Sequence, residues 1–128
     1  MFRRATVPDL ATIAVEAVLL ASEGREFSKA AIDQAVRLAA AYRAPVYVYM
    51  TARVHGYAFG LQHPALYPNK EEWKTYHDRA EKAVRALHRR GVASEARVIA
   101  TRKAGKRIVG EAKRMGADVI VMGADRSL

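Results

Sequence analysis

Histidines, and one serine beside a carboxylate, are the residues of this 128-residue chain that bear on catalysis or metal binding. No two of the four histidines are four residues apart, the spacing that places two ligands on one helix face. The chain has no cysteine, which excludes thiolate metal sites and cysteine nucleophiles. Ser22 precedes Glu23, but no Gly-x-Ser-x-Gly turn surrounds it. We therefore expect no catalytic residue and no metal site, with a loop site of His55 and His63 as the alternative.

Positive charge dominates the chain, with 22 Lys and Arg against 13 Asp and Glu and a formal net charge of +9. A basic domain attracts anions such as nucleotides, nucleic acid or acidic partner surfaces. The alternative is that these side chains line solvated helix faces and loops, and no run is long enough for a nucleic-acid-binding tail. We expect no nucleic-acid partner. The denser basic groups are His88-Arg89-Arg90, Arg102-Lys103, Lys106-Arg107 and Lys113-Arg114.

The apolar segments of the chain are short. None approaches the roughly 20 uninterrupted apolar residues that a membrane helix needs. Asp9 and Glu16 interrupt the apolar stretch near the start, which makes a poor signal peptide. We therefore expect a cytoplasmic protein that does not insert into membranes, and the absence of cysteine suits that compartment.

Four apolar runs predict the strands that would position any site. Continuous apolar runs, as opposed to alternating ones, are typical of strands covered on both faces. The runs cover residues 15–21, 46–50, 96–100 and 119–122.

Three helical patterns lie between these runs. The first covers residues 28–42, with Ser28 as its cap and an apolar stripe from Ala31 to Tyr42. The second covers 69–90, where Asn69 and Glu72 have capping-box spacing and Gly91 follows the end. The third covers 104–115, and the residues expected to face the core are Ile108, Val109, Ala112 and Met115.

Strands that alternate with helices predict an α/β fold with a parallel sheet and right-handed crossovers, a three-layer sandwich of the Rossmann-like kind. Residues 51–68 contain two glycines and two prolines without a clear period and are expected to form a long loop. Residues 1–14 are expected to be an N-terminal extension, and residues 15–128 the domain.

Three segments resemble the universal stress protein family. Residues 116–123 read GADVIVMG and are similar to the family's fourth strand and the turn after it. Residues 103–112 resemble the segment that opens its third helix, and residues 18–24 resemble its first strand and turn. The resemblance implies a strand order of 3-2-1-4. It also implies a fifth strand, which this sequence ends without reaching, and a homodimer.

By this resemblance, ATP would lie at the carboxyl ends of strands 1 and 4, with Mg²⁺ as a possible companion. Glu23 stands where the family has Asp, and Met122-Gly123 match the start of its phosphate loop, Gly-x2-Gly-x9-Gly-Ser/Thr. Arg126 stands where the second glycine is expected, so nucleotide binding is predicted to be weakened or lost. The residues expected at the nucleotide are Ala21, Ser22, Glu23, Met50, Met122, Gly123 and Arg126.

The resemblance predicts a regulatory module of the stress response and not an enzyme. It would act by self-association or by binding an unidentified protein partner. One alternative is an ATP-binding switch of the same fold with slow hydrolysis. Another is a regulatory domain of a larger protein, such as a transporter.

Overall fold

Four strands and three helices alternate along the part of the chain that the computed structural model describes, residues 14–55 and 67–123. This alternation confirms the predicted order of elements. The elements are β1 (Val18–Ser22), α1 (Lys29–Tyr42), β2 (Val46–Arg53), α2 (Lys70–Arg89), β3 (Ser94–Thr101), α3 (Ala104–Met115) and β4 (Val119–Met122).

The sheet has the order β3-β2-β1-β4, and every neighbouring pair is parallel. This confirms the α/β fold and the strand order predicted from the sequence. In the register, Ala21 lies beside Met122 on one side and beside Tyr49 on the other. The chain moves from β1 to β2 in one direction and later returns to β4 on the opposite side. The carboxyl end of β1 is therefore a topological switch point, where open α/β sheets bind ligands.

Alternate residues of β1 enter two separate cores, because successive side chains of a strand point to opposite faces. Val18 and Leu20 pack in a core to which α1 contributes Ala35 and α2 contributes Leu87. Leu19 and Ala21 pack on the other face in a smaller core to which α3 contributes Ile108 and Ala112. The helices thus form two layers around the sheet, with α1 and α2 on one face and α3 on the other.

The helix starts agree with the capping residues predicted from the sequence. The Ser28 hydroxyl accepts a hydrogen bond from the Ala31 amide at 3.1 Å. Asn69 and Glu72 form a reciprocal capping box, with the Glu72 amide 2.8 Å from the Asn69 side-chain oxygen. These side chains satisfy amides that the first turn of a helix leaves without partners.

Three strands differ from their predicted bounds. β3 covers Ser94–Thr101 and is longer at both ends than the predicted 96–100. β1 begins at Val18 and not at Val15. β2 continues three residues past Met50 to Arg53, because β3 runs as far as Thr101 and pairs with it over that length. Thr51, Ala52 and Arg53 therefore belong to the sheet, although the sequence predicted a loop for them.

The α3 face also differs from its prediction. Ile108 and Ala112 are buried, as expected. Val109 was predicted to face the core, but it is 48% exposed. Glu111 is buried in its place, with 8% of its side chain exposed.

Candidate functional site

A crevice lies at the carboxyl end of the sheet, between the segments that follow β1 and β4. It forms because the two strands are parallel neighbours, so their ends meet at the same edge. Its volume is about 270 Å³. The residues that line it are Ala21, Ser22, Glu23, Arg25, Met122 and Gly123.

Hydrogen bonds close the turn after β1. The Ser22 hydroxyl donates to the Arg25 carbonyl oxygen at 2.6 Å. Gly24 has a φ of 87°, and its carbonyl oxygen accepts a hydrogen bond from Arg79 Nη1 at 2.5 Å. The turn exposes the side chains of Glu23 and Arg25 at the mouth of the crevice, while Ser22 is buried beneath them. The serine hydroxyl therefore supports the turn.

Gly123 forms the opposite wall and touches the start of α1. Its carbonyl oxygen accepts a hydrogen bond from the Ser28 amide at 3.3 Å. A Cβ at position 123 would lie 2.8 Å from the Ser28 hydroxyl oxygen and 3.2 Å from the Ala31 Cβ. Close packing against α1 is thus enough to require glycine here, independently of any phosphate.

Five of the seven residues predicted at the nucleotide come together in this crevice: Ala21, Ser22, Glu23, Met122 and Gly123. Met50 lies beside Ser22 in the register, but its side chain is fully buried in the core beneath α1 and α2. Arg126 lies outside the described residues. The nucleotide contacts of all seven stay predictions.

Arg25 also lines the crevice, and the sequence reasoning missed it. The position of Arg25, two residues after Glu23 in the turn that follows β1, was the sequence signal that could have identified it as a crevice residue. A guanidinium beside the Glu23 carboxylate gives the crevice one group of each charge. Apolar contact comes from Ala21 and from Met122, which is 49% exposed.

A second cavity of about 340 Å³ continues along the sheet edge from Glu23 towards β3. Arg53 and Arg102 line it, together with two threonines near the ends of β2 and β3, Thr51 and Thr101. Glu23 lines both cavities and so lies between the crevice at β4, which has one group of each charge, and a basic region at β2 and β3.

No group of three histidine or carboxylate side chains within residues 14–55 and 67–123 is placed to hold a metal ion. His55 Nε2 lies 3.8 Å from a Glu72 carboxylate oxygen. His63, the other histidine of the alternative loop site, is outside the described residues. None of the described helices has the length and hydropathy to cross a bilayer.

The parallel sheet of order β3-β2-β1-β4, with helices on both faces, defines an open α/β protein with a crevice at its switch point. The universal stress protein family matches residues 15–127, and this chain belongs to that family. No curated protein matches the chain significantly.

Several solved structures share the fold. The universal stress protein from Archaeoglobus fulgidus in complex with dAMP is 20% identical, with a TM-score of 0.66, over 87% of this chain and 82% of that one. A family protein from Burkholderia pseudomallei is 24% identical, with a TM-score of 0.60, over 84% and 81%. A universal stress protein in complex with cAMP is 21% identical, with a TM-score of 0.50, over 84% and 71%.

Proposed function

We propose that this protein is a regulatory module of the stress response whose β1–β4 crevice binds an adenine nucleotide weakly as an effector. The observation that carries the proposal is the meeting of Glu23 and Arg25 with Met122 and Gly123 in one cavity at the switch point. Relatives of the same fold in complex with dAMP and cAMP support it. The protein would signal through its nucleotide-bound state, and we assign no chemical reaction to the crevice.

Each wall of the crevice suits a different part of a nucleotide. Met122, which is 49% exposed, offers apolar surface to the base. The Glu23 carboxylate accepts hydrogen bonds from ribose hydroxyls, and the Arg25 guanidinium pairs with a phosphate. This placement needs no Mg²⁺, and among the described residues Glu23 is the one carboxylate that lines the crevice.

Two features make the binding weak. The volume of about 270 Å³ is at the lower end for ligand pockets, which are commonly about 300–1,000 Å³. The Glu23 carboxylate also repels phosphate groups that approach it, so only one or two phosphates are tolerated at Arg25. We therefore expect monophosphates to bind at least as well as ATP with Mg²⁺.

Replacing Met122 with glutamate is expected to abolish nucleotide binding, because it places a second carboxylate in the crevice. Val109→Glu is the matched control, since Val109 is equally exposed, at 48%, and does not line the crevice. The measurement is the melting temperature of each protein with dAMP, cAMP, or ATP with Mg²⁺. A ligand at a hundred times its dissociation constant stabilises a fold by about 2.7 kcal/mol.

The expected result is a rise in melting temperature for the wild type and for Val109→Glu, and none for Met122→Glu. If millimolar nucleotide fails to shift the melting temperature of the wild type, the effector role is wrong. Equal loss of the shift in both variants would place the ligand elsewhere.

Self-association is the second part of the proposed function, and the exposed side of β4 favours it. Within the described sheet β4 pairs with β1 alone, so its outer edge has no strand partner. Ile120 and Met122 are 36% and 49% exposed on the face that α3 covers elsewhere. Proteins often associate through unpaired strand edges and clusters of exposed apolar side chains.

Ile120→Lys is expected to shift the protein from dimer to monomer in sedimentation equilibrium. The lysine places a charge in the apolar contact, which raises the dissociation constant at least tenfold. Ala40→Lys, on the exposed surface of α1, is the control and should leave the dimer intact. A wild type that sediments as a monomer at high concentration would remove this part of the proposal.

A further inference from the structure

A third cavity, of about 330 Å³, opens at the turn between β3 and α3. One side of it is apolar and aromatic, formed by Val54, Tyr67 and Ala100. The other side carries four basic residues, Arg102, Lys103, Lys106 and Arg107. Among the described residues it shares no lining group with the nucleotide crevice, and no carboxylate lines it.

Three of the four cations that line this cavity, Lys103, Lys106 and Arg107, lack the carboxylate partners that other basic residues have. Lys74, Lys82 and Arg90 each form an ion pair with a carboxylate. Lys103, Lys106 and Arg107 form none with any carboxylate in the described part of the chain, although all three are exposed. Their charges are therefore available to an anion in the cavity.

The placement of these cations lowers the stability of the free protein. Lys103, Lys106 and Arg107 follow i, i+3 and i+4 spacing at the start of α3, so like charges share one helix face. The N-terminal end of a helix carries partial positive charge, which repels cations. The first turn of α3 contains no acidic residue, and Lys103, at the N-cap, makes no side-chain capping bond. An anion between these side chains would relieve all of this repulsion at once.

We propose that this cavity, the β3–α3 site, binds a small organic phosphate that carries a pyrophosphate group. The three of its cations that form no ion pair with a described carboxylate match an anion with two or more phosphoryl groups. The apolar wall at Val54 and Tyr67 gives room to the organic part of the ligand. The volume of about 330 Å³ is within the range of small-molecule pockets.

The test uses inorganic phosphate, pyrophosphate and tripolyphosphate as probes, with titration calorimetry on the full chain at low salt. Lys103→Ala combined with Lys106→Ala removes two cations from the site. Lys70→Ala combined with Lys113→Ala is the control, because it removes two exposed lysines that do not line the cavity. Both double variants change the net charge equally.

We expect the wild type to bind pyrophosphate and tripolyphosphate more tightly than phosphate, and more weakly as salt is added. The site variant should bind tripolyphosphate about a hundredfold less tightly, since each charge-assisted contact contributes about tenfold. The site variant should also melt at a higher temperature than the wild type without ligand. The control should bind like the wild type.

Three results would overturn the proposal. The first is no tripolyphosphate binding at millimolar concentration, and the second is equal weakening in both double variants. The third is tighter binding of a single-stranded oligonucleotide, with affinity that grows with its length, which would indicate a polymer. Met122→Glu separates this site from the nucleotide crevice, because it should abolish dAMP binding and leave tripolyphosphate binding unchanged.

Discussion

Gly24→Ala is expected to lower the free energy of unfolding by about 3 kcal/mol. The backbone at Gly24 has a φ of 87°, a conformation that costs a residue with a Cβ about 1–2 kcal/mol. The new Cβ would also lie 2.9 Å from Tyr76 Cε1 and 3.3 Å from the Thr51 carbonyl oxygen. Overpacking of this kind costs about 1–3 kcal/mol. Urea denaturation at neutral pH measures the loss.

Two other glycines separate the backbone effect from the clash. Gly91 has a φ of 81°, and a Cβ there would meet no atom within 4 Å. Gly91→Ala should therefore cost only the backbone part, about 1 kcal/mol. Gly105 lies in α3 with equally open surroundings, and Gly105→Ala should stabilise the helix by about 0.5–1 kcal/mol. Equal losses in Gly24→Ala and Gly91→Ala would show that the predicted clash is absent.

Tyr76→Leu in the Gly24→Ala background tests the contact directly. Removing the ring should recover part of the loss, so that the two substitutions are not additive. Because the same turn presents Glu23 and Arg25, Gly24→Ala is also expected to weaken nucleotide binding in the crevice. Gly91→Ala, at the other end of the sheet, should leave that binding unchanged.

Physical patterns in the sequence were enough to predict the order of the elements. Runs such as Val119–Met122 have no polar residue, which is typical of a strand in a parallel sheet. Helix starts were predictable because Ser28 and Asn69 carry the side chains that cap a first turn. The end of β2 could not be predicted, because Thr51–Arg53 become strand residues only through their pairing with Ile99–Thr101.

The direction in which strand side chains point limited how many of the crevice residues could be predicted from the sequence. The ends of β1 and β4 were predicted to meet, and they do, because parallel neighbours end at one edge. Met50 was placed at the same edge from its position in sequence, but its side chain points into the α1 and α2 core. A strand exposes alternate residues to each face, and which face depends on the helices that pack there.

The helical geometry of α3 explains why Glu111 is buried instead of Val109, which was predicted to face the core. At about 100° per residue, Val109 lies about 100° from Ile108 around the helix axis, whereas Glu111 lies only about 60° from it. Side-chain hydrophobicity alone favours Val109 over Glu111 for the core. Glu111 takes the position because arginines of β3 and α3 surround its carboxylate. Arg97 is distant in sequence, and Arg114, three residues after Glu111, does not by itself indicate that Glu111 is buried.

Glu111→Gln is expected to lower the free energy of unfolding by about 2 kcal/mol at pH 7. Glu111 accepts two hydrogen bonds from Arg114, Nε to Oε1 at 2.9 Å and Nη2 to Oε2 at 3.0 Å. Arg97 Nη1 lies 3.5 Å from Oε1. Glutamine keeps the size of the side chain but removes the charge. Both arginines are half exposed and regain water when the pair is lost, so the expected cost is below that of a fully buried ion pair.

The dependence of this difference on pH identifies its cause. The hydrogen bonds from Arg114 hold the pKa of Glu111 below its ordinary value of 4.5, although burial acts to raise it. A carboxyl group whose pKa is lowered by folding stabilises the protein above the unfolded value and loses that contribution as the pH falls through the folded value. The stability difference between wild type and Glu111→Gln should therefore be constant from pH 7 to about pH 5 and shrink below that. Glu81→Gln, at an exposed position of α2 that forms no ion pair with a described residue, should show little difference at any pH. A Glu111→Gln difference that persists unchanged into acid would mean that packing, and not the carboxylate charge, stabilises this site.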